Sequence, residues 1–276
     1  MSRVALPTSL EELWHQLDRQ PGSLIYAGGT DLLVRLRKQP DRDRGLICLE
    51  RLSRLNRIEQ KGDEIFIGAG CTHTQLLNSS LVQERLPILT QALSVLGSPL
   101  IRNAATIGGN IATASPAGDT LPPLYALGAW VEIISPGFTK RMAIGDFIKG
   151  PGKTTLLPGQ VLSGVAVPLP ANPAIHHFEK VGQRAALAIS IASLASLVQV
   201  DAAGVVLEAR LAWGSVGPTV VTCRPAEDTL IGRRLNRSAL TRAAALAREA
   251  VSPIDDIRAS AAYRRKVAGN LLLRLA

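Results

Sequence analysis

Residues 101–123 restrict the fold of this chain more than any other segment, because they combine adjacent glycines, small hydroxyl and amide side chains, one acid and a double proline. Their sequence is IRNAATIGGNIATASPAGDTLPP. Glycine lets another group approach the backbone closely, whereas proline restricts the backbone and is excluded from central strands. A tightly packed apolar core does not need this mixture. The segment is instead typical of backbone that wraps around a phosphate group.

A second glycine pair lies near the N-terminus, in the sequence SLIYAGGTDLLVRLRK. The pattern predicts a short buried strand, a glycine turn and a helix that begins near Thr30, an arrangement that can bind an anion. Each glycine pair alone is more typical of a tight turn. Together, AGGTD and TIGGN favour a ligand with two phosphates. Backbone N–H groups and the side chains of Thr30, Thr106 and Asn110 would bind it.

The length of 276 residues, 46% of them hydrophobic, is sufficient for two domains or subdomains with a substantial core. The sequence has no apolar stretch near the roughly 20 residues of a membrane span and no signal-peptide pattern. We therefore expect a cytoplasmic protein. Cys48, Cys71 and Cys223 are far apart, so we predict neither a disulfide framework nor a metal site. Any metal chemistry would lie on another chain.

The formal charge of +9 is compatible with nucleic acid, an anionic cofactor or an acidic partner. Basic residues cluster at Arg35, Arg37 and Lys38, and again over residues 264–266. Neither cluster alternates with aromatic residues as a single-strand-binding surface does. We therefore favour solvated helical faces or a partner contact, and expect no nucleic acid.

Helical and strand patterns fill the rest of the chain. Ser9 and Glu12 have the spacing of a capping box, and IEQKGDEIFIGAG predicts a hairpin that turns at Gly62 and Asp63. KRMAIGDF is expected to be a strand. LAISIASLASLVQV and GVVLEARLAWGSVG predict two long paired strands, with three helices after them. Residues 168–178, PLPANPAIHHF, are expected to form a linker because of their prolines.

Other familiar motifs are excluded or disfavoured. GPGKTT, at residues 150–155, is similar to a phosphate loop, but Phe147 occupies the position of its first glycine. No G-x-G-x-x-G follows a strand, and no serine or cysteine triad is evident. His176 and His177 would point in different directions on a strand and lack further ligands at suitable spacing. Both are expected on the surface.

Six segments of the chain resemble a known family when they are taken in order. They are AGGTDLL, IRNAATIGGNIATASPAGD, GKTTLLPGQVL, EKVGQRAALAIS, WGSVGPTVVTCRPAE and SPIDDIRASAAYRRKVAGNLL. The family is the FAD-binding medium subunit of molybdenum hydroxylases, which include xanthine dehydrogenases, aldehyde oxidoreductases and aerobic carbon monoxide dehydrogenases. The resemblance covers nearly the whole chain. The last segment is most similar to three-subunit enzymes of the xanthine dehydrogenase type.

The resemblance implies an α+β fold in two parts. A PCMH-type FAD-binding domain of two α+β subdomains is expected over residues 1–170. A C-terminal domain of the carbon monoxide dehydrogenase flavoprotein type, with an antiparallel sheet and helices, is expected over residues 175–276.

The resemblance also implies the residues that bind FAD. Around the pyrophosphate these would be Ile25, Ala27, Gly28, Gly29, Thr30 and Leu32. The second motif would contribute Thr106, Gly109, Asn110, Thr113, Gly118 and Asp119. Leu162 and Lys180 match positions near the flavin ring. Asp119 is suited to accept hydrogen bonds from the adenosine ribose, although it could instead cap the helix predicted over TLPPLYALG.

By the same resemblance, a molybdenum cofactor-containing large subunit would hydroxylate the substrate, and a [2Fe-2S] small subunit would carry electrons to FAD on this chain. FAD would then reduce an external acceptor. The flavin does the chemistry, so no catalytic residue of this chain is expected. A cation near the flavin would stabilise its reduced form, and Lys180 and Arg184 are the candidates. For Arg184 a surface charge is an equally good interpretation.

The sequence also departs from some relatives. Nothing in it could supply the cysteine-rich insert that binds a [4Fe-4S] cluster in the reductase branch, and GQRAAL replaces an aromatic residue near the flavin. The acceptor could be a nicotinamide, a quinone, oxygen or another carrier. Two alternatives stay open. One is a self-sufficient FAD-dependent oxidase, which would need its own acid and base; the other is a non-enzymatic basic scaffold.

Overall fold

The strands of the chain pair in three main sheets that follow one another along the sequence. The computed structural model describes residues 4–39, 41, 43–170 and 174–276. Within those ranges, the first sheet is parallel and the other two are antiparallel. None of the described helices is both long and apolar enough to cross a membrane.

The first unit is a small β-α-β-α-β arrangement. Its elements are β1 (Val4–Ala5), α1 (Leu10–Arg19), β2 (Leu24–Tyr26), α2 (Leu32–Lys38) and β3 (Leu46–Cys48). The strand order is β1-β3-β2, so β2 lies at one edge of the parallel sheet. The glycine turn AGGTD leaves the carboxyl end of β2, and α2 begins at Leu32, two residues later than predicted.

The start of α1 is only half a capping box. The Ser9 hydroxyl accepts a hydrogen bond from the Glu12 N–H, as the spacing predicts. The Glu12 carboxylate, however, accepts from the N–H of Thr8, at 2.7 Å, and from the Thr8 hydroxyl. Glu12 therefore stabilises the residue before the cap rather than the cap itself.

The second unit is a five-stranded sheet covered by short helices. Its first elements are β4 (Ile58–Lys61), β5 (Glu64–Gly68), α3 (His73–Leu77), α4 (Ser80–Arg85), α5 (Pro87–Ser94), α6 (Pro99–Ala104), α7 (Ile107–Thr113) and α8 (Leu121–Ala126). The rest are β6 (Trp130–Ser135), β7 (Phe138–Ala143), α9 (Ile144–Phe147), β8 (Ile148–Gly150), β9 (Lys153–Thr154) and β10 (Val161–Pro168).

The strand order of this sheet is β4-β5-β10-β6-β7. The predicted hairpin is confirmed, because Lys61 pairs with Glu64 and the turn between them contains Gly62 and Asp63. KRMAIGDF was expected to be all strand, but β7 ends at Ala143 and Ile144–Phe147 is helical. Ile144 and Phe147 are both buried, a three-residue spacing that one helical turn satisfies and a strand does not.

The third unit is a four-stranded antiparallel sheet with helices after it. Its elements are β11 (Ala174–Val181), β12 (Ala192–Val200), β13 (Val206–Gly214), β14 (Val221–Thr222), α10 (Arg224–Leu230), α11 (Arg237–Ala250) and α12 (Ala261–Leu272). The two long strands and the three helices were predicted and are confirmed. Helices α10 and α12 pack on this sheet, and so do α5 and α8 of the second unit. Consequently Phe178, Ala195 and Leu197 belong to the same apolar core as Ile65 and Ile67.

The linker expected over residues 168–178 is only partly a loop. Pro168 ends β10, and residues 171–173 lie outside the described residues, but from Ala174 onward the chain is the edge strand β11. Strand β11 contains no proline, so its N–H groups can pair with β12. His176 and His177, expected on the surface, are half-buried in β11.

Trp213 provides a test of the third unit. Its ring is completely buried, and its indole N–H donates to the Ala268 carbonyl oxygen at 3.0 Å, which joins β13 to α12. We expect Trp213→Phe to lower the free energy of unfolding by roughly 2 kcal/mol, through a lost hydrogen bond and a small cavity. Urea unfolding followed by circular dichroism measures the change.

The matched control is Trp130→Phe, because Trp130 is 46% exposed. It should alter the free energy of unfolding by no more than about 0.5 kcal/mol. Equal effects of the two substitutions would contradict the role given to Trp213.

Candidate cofactor-binding site

The two glycine motifs face each other across a cleft of about 480 Å³. One wall is the turn after β2 and the start of α2, and the other is α7 with the residue before it. The predicted site residues that line the cleft are Ile25, Ala27, Gly28, Gly29, Thr30, Leu32, Thr106, Gly109, Asn110 and Thr113. Ten of the predicted residues, distant in sequence, are therefore together in space.

The approach of the two walls depends on Gly28. A Cβ atom at Gly28 would overlap the carbonyl oxygen of Ala104, at the end of α6. The next glycine, Gly29, has a φ of +69°, in the left-handed region that side chains other than glycine rarely adopt. Gly28 is thus required by the close packing of the turn against the other wall. Gly29 is required by the backbone conformation of the turn itself.

The first motif has free hydrogen-bond donors. Among the described residues, none accepts a hydrogen bond from the backbone N–H of Gly28, Gly29 or Thr30. All three residues line the cleft. Successive N–H groups without protein partners form a site suited to an anion such as a phosphate. This part of the sequence prediction agrees with the geometry.

The second motif differs from the prediction, because its backbone N–H groups already have partners. Thr106 is the N-cap of α7, and its hydroxyl accepts from the Gly109 N–H at 3.1 Å. The N–H groups of Ile107 and Gly108 donate to the carbonyl oxygens of Cys71 and Ala69. This motif therefore has no free N–H cradle at these positions and can offer a ligand only side chains and surface shape.

The adjacent glycines of TIGGN have different roles. Gly108 is buried, and a Cβ there would overlap Ala69, so this glycine allows α7 to pack closely on the sheet. Gly109 is exposed, and among the described residues outside its own helix backbone and chain neighbours, a Cβ there would approach only Thr106 Oγ1, at 3.0 Å. Because Gly109 also lines the cleft, a side chain at this position would enter the space available to a ligand.

A smaller, more apolar cavity of about 140 Å³ lies next to the cleft. It shares six residues with the cleft, four of which were predicted, namely Ile25, Ala27, Thr106 and Gly109, and Leu162 is part of its lining. The sequence did not identify the other residues around it, which are Tyr26, Leu49, Leu55, Ala69, Gly70, Gly108, Ala112, Leu156, Gln160 and Val161. The two cavities therefore adjoin through shared residues, and the smaller one has the more apolar lining.

Three predicted residues, Gly118, Asp119 and Lys180, line neither cavity. Asp119 and Lys180 instead form a buried ion pair between the loop before α8 and strand β11, with 2.6 Å between Oδ2 and Nζ and about 8% of each side chain exposed. Burial raises the pKa of Asp119, and the Lys180 charge opposes that rise. The alternative role of Asp119 is not observed, because Thr120 is the N-cap of α8. Arg184 is exposed and donates to the Leu187 carbonyl oxygen.

Two cleft residues were noticed in the sequence but assigned elsewhere. Arg35 was counted among solvated charges, yet its position on α2, one turn after the glycine motif, brings it to the cleft. Gly152 belongs to the disfavoured GPGKTT segment and also lines the cleft, with its N–H bonded to the Ala114 carbonyl oxygen. Tyr26, Asp31, Ala105 and Ala112 complete the lining. No local signal in the sequence distinguishes Arg35 from a solvated charge.

His73 is a buried residue whose backbone is bonded to the second wall of the cleft. It is 1% exposed, its backbone N–H donates to the Ala105 carbonyl oxygen, and Thr72 pairs with Thr106. Neither ring nitrogen has a hydrogen-bond partner among the described residues. Burial, together with the nearby charge of Arg102, lowers the pKa of His73 to about 4. The ring is therefore neutral at physiological pH.

Comparison with known proteins identifies this architecture. Residues 1–170 match the model of the FAD binding domain in molybdopterin dehydrogenase, and residues 177–276 match that of the CO dehydrogenase flavoprotein C-terminal domain. The chain belongs to the FAD-binding subunits of molybdenum hydroxylases. FAD is the cofactor of this family, and the chain is a component of an oxidoreductase.

Two relatives illustrate the similarity over the whole length. The xanthine dehydrogenase FAD-binding subunit of Escherichia coli O157:H7 is 34% identical over 261 residues, which are 93% of this chain and 88% of the relative. The carbon monoxide dehydrogenase medium chain of Afipia carboxidovorans is 30% identical over 271 residues, which are 98% of this chain and 90% of the relative.

Solved structures of the family have the same fold. Quinoline 2-oxidoreductase from Pseudomonas putida 86 superimposes with a TM-score of 0.94 at 29% identity, over all of this chain and 95% of that one. A carbon monoxide dehydrogenase from Hydrogenophaga pseudoflava gives a TM-score of 0.93 at 28% identity, over 99% and 95% of the two chains. The predicted α+β fold of the FAD-binding and C-terminal domains is confirmed.

His73 generates a prediction about acid stability. Its pKa is lower in the folded chain than the ordinary 6.5, so the unfolded chain binds the proton more tightly, and stability decreases as pH falls from 6.5 toward 4. We expect His73→Leu, which removes no ring hydrogen bond, to abolish this share of the loss. Between pH 7 and pH 4.5 the wild type should lose roughly 2 to 3 kcal/mol more unfolding free energy than the variant. Urea unfolding at both pH values measures it, and equal losses would contradict the prediction.

Proposed function

We propose that this subunit accepts electrons from a [2Fe-2S] partner and passes them to an external acceptor through bound FAD. The observation that carries the proposal is the cleft, which has three backbone N–H groups without partners among the described residues at one glycine motif and exposed Gly109 at the other. Such a site, with an apolar cavity beside it, suits a cofactor that has both phosphates and an apolar part. FAD supplies redox chemistry when bound, and the chain supplies binding, orientation and electrostatics.

The first motif would bind the pyrophosphate. The N–H groups of Gly28, Gly29 and Thr30 are available as donors, and Arg35 adds a positive charge at the same cleft. Phosphate oxygens accept strong hydrogen bonds from such donors. Ile25, Ala27 and Leu32 would contact the cofactor around this point.

The second motif would form the opposite wall with small residues. Gly109 and Thr113 line the cleft without bulky side chains, and Thr106 connects the cleft with the apolar cavity. Asn110 lines the cleft, while its Oδ1 accepts from the Thr120 hydroxyl at 2.7 Å. The Asn110 amide NH₂ would therefore face the cofactor as a donor. The apolar cavity beside Leu162 would accept an aromatic part of FAD.

The ion pair Asp119–Lys180 lines neither cavity and would act on the site through its charges. Asp119 Oδ1 is buried and has no partner among the described residues, so it is an unused acceptor. Because Asp119 lines neither cavity, a ribose hydroxyl would reach this atom only if the loop before α8 moved. A Cβ at Gly118, immediately before Asp119, would lie 3.1 Å from the Ser115 carbonyl oxygen and 3.2 Å from Asn110 Oδ1, so this glycine allows close packing there. Lys180 would provide a cation toward the flavin, which stabilises negative charge added on reduction. Exposed Arg184 is already engaged with its own loop and is the weaker candidate.

The partners in this proposal are a molybdenum cofactor-containing large subunit and a [2Fe-2S] small subunit. The relatives named above are subunits of xanthine and carbon monoxide dehydrogenases, and another is the nicotinate dehydrogenase FAD-subunit of Eubacterium barkeri. Among the described residues there is no cluster of histidine, cysteine or acidic side chains that could bind a metal. We also propose a cytoplasmic location and a division into residues 1–170 and 175–276.

The first test of the function is the cofactor itself. The purified chain should show flavin absorption, and the mass of the released compound should be that of FAD, at about one per chain for a single cleft. Gly109→Trp should reduce the flavin content to below about a tenth, because the indole fills the cleft. The fold should survive, since residues other than glycine are favoured in a helix and only Thr106 is close.

Gly109→Ala is the matched control, because it makes the same backbone change with a side chain of one carbon. It should retain most of the flavin. With flavin removed from all three proteins, both variants should unfold at a urea concentration close to that of the wild type. A Trp variant with normal flavin content would contradict the assignment of the cleft. Turnover of an organic substrate by the chain alone would favour the oxidase alternative.

The second test concerns the charge of the Asp119–Lys180 pair. Lys180→Ala removes the cation and should lower the midpoint potential of bound FAD, because reduction adds negative charge. Asp119→Asn leaves the cation without its partner and should raise the potential. Spectroelectrochemical titration at pH 7.5 measures both. If neither potential differs from that of the wild type, the pair does not act on the flavin.

A further inference from the structure

Ser215 has an unusual backbone for its position at the end of β13. Its φ is +63°, and among the described residues only Ala114 and Leu187 share a positive φ without being glycine. This left-handed conformation costs free energy for residues with a Cβ, so the surrounding structure must stabilise it. The residue is buried, and its hydroxyl has no hydrogen-bond partner among the described residues. The side chain therefore does not explain the conformation.

The backbone groups of Ser215 do explain it. Its N–H donates to the Pro116 carbonyl oxygen at 2.9 Å, in the loop between α7 and α8. Its carbonyl oxygen accepts from Arg264 Nη1 at 3.1 Å. The left-handed turn thus points a donor toward the second glycine segment and an acceptor toward α12. Both bonds are formed in this left-handed conformation.

Arg264, which donates to the Ser215 carbonyl oxygen, is buried in the interior. It is 4% exposed, and the same Nη1 also donates to the Ile191 carbonyl oxygen, while Nη2 forms an ion pair with Asp256 at 2.7 Å. A buried arginine is costly unless its donors are satisfied, and these bonds satisfy the two terminal nitrogens. Because the guanidinium is planar, it fixes the relative positions of Ile191, Ser215 and Asp256.

Gly214, the residue before Ser215, lies close to the same segment, residues 116–122. A Cβ at Gly214 would lie 2.8 Å from Pro122 Cγ and 2.5 Å from Ser193 Oγ. Residues 214 and 215 together therefore contact both ends of residues 116–122. On the other side of this segment, the Thr120 hydroxyl donates to Asn110 Oδ1, and Asn110 lines the cleft. The segment connects the third unit to the cleft through hydrogen bonds at both of its sides.

We propose that Ser215, supported by Arg264, is a positioning residue for FAD: it fixes residues 116–120, and through Thr120 the Asn110 side chain, without contacting the cleft. The inference rests on the proposed placement of FAD. It goes further, because it makes a buried backbone turn of the third unit a determinant of cofactor affinity. Residues that line the cleft do not reveal this dependence.

The experiment measures the dissociation constant of FAD from the full-length chain, freed of flavin, by quenching of flavin fluorescence. Ser215→Val should weaken binding about tenfold, as expected for one lost hydrogen bond, because a β-branched residue opposes positive φ. Ser215→Gly keeps both backbone groups and adopts this φ freely, so its affinity should stay within about twofold of the wild type.

The matched control is Gly204→Ala, at the hairpin between β12 and β13. Gly204 has a φ of +76° and open space around its Cβ position, so alanine brings comparable backbone strain to the same sheet away from residues 116–122. It should lower the urea midpoint of the flavin-free chain while leaving FAD affinity unchanged. If Gly204→Ala weakens FAD binding as much as Ser215→Val, affinity merely follows stability and the inference is overturned.

A second pair of variants covers the case in which Ser215→Val does not fold. Arg264→Lys keeps the charge but cannot reach two carbonyls and a carboxylate together, so FAD affinity should fall severalfold. Adding Ser215→Gly should restore it, because glycine needs no support for its backbone. Failure of this rescue, or unaltered affinity in Arg264→Lys, overturns the inference. If the wild type itself does not bind FAD, the proposed function fails first.

Discussion

The close approach of Gly28 to the Ala104 carbonyl oxygen is the contact on which the cleft depends. It brings the turn after β2 against the end of α6, directly before the residues that begin α7. A Cβ at Gly28 would push the two walls apart, and the parallel sheet would no longer lie beside the antiparallel one in this way. The cleft is therefore a consequence of how two units pack, and neither unit contains it alone.

The first glycine pair is available to a ligand, whereas the second is engaged by the protein itself. The N–H groups of the first pair have no acceptors among the described residues, whereas those of Ile107, Gly108 and Gly109 are used to begin α7 and attach it to the sheet. Since buried backbone groups must be paired, the first pair is open to an anion and the second gives rigidity. This asymmetry explains how similar dipeptides make two different walls.

The sequence predicted much of the architecture because periodicity and capping are local signals. It identified the hairpin at Gly62, strands β12 and β13 and helix α11. It could not distinguish Gly108 from Gly109, because the difference lies in the distant Ala69. It likewise could not place Arg35 at the cleft, since an arginine near the end of a short helix is equally compatible with solvent. The family resemblance supplied residues such as Leu162, which no local pattern indicates.

The buried pair Asp119–Lys180 is better explained by orientation than by stability. Removing both charges from water costs several kcal/mol, and a well-packed apolar pair often stabilises a protein as much or more. An ion pair, however, is satisfied in only one arrangement of its partners, and this one joins the loop before α8 to β11. Together with the bond from Ser215 to Pro116, it fixes the third unit against residues 116–122 at two separate points. A smooth apolar interface would permit sliding, whereas this one specifies a single position for the loop beside the cleft.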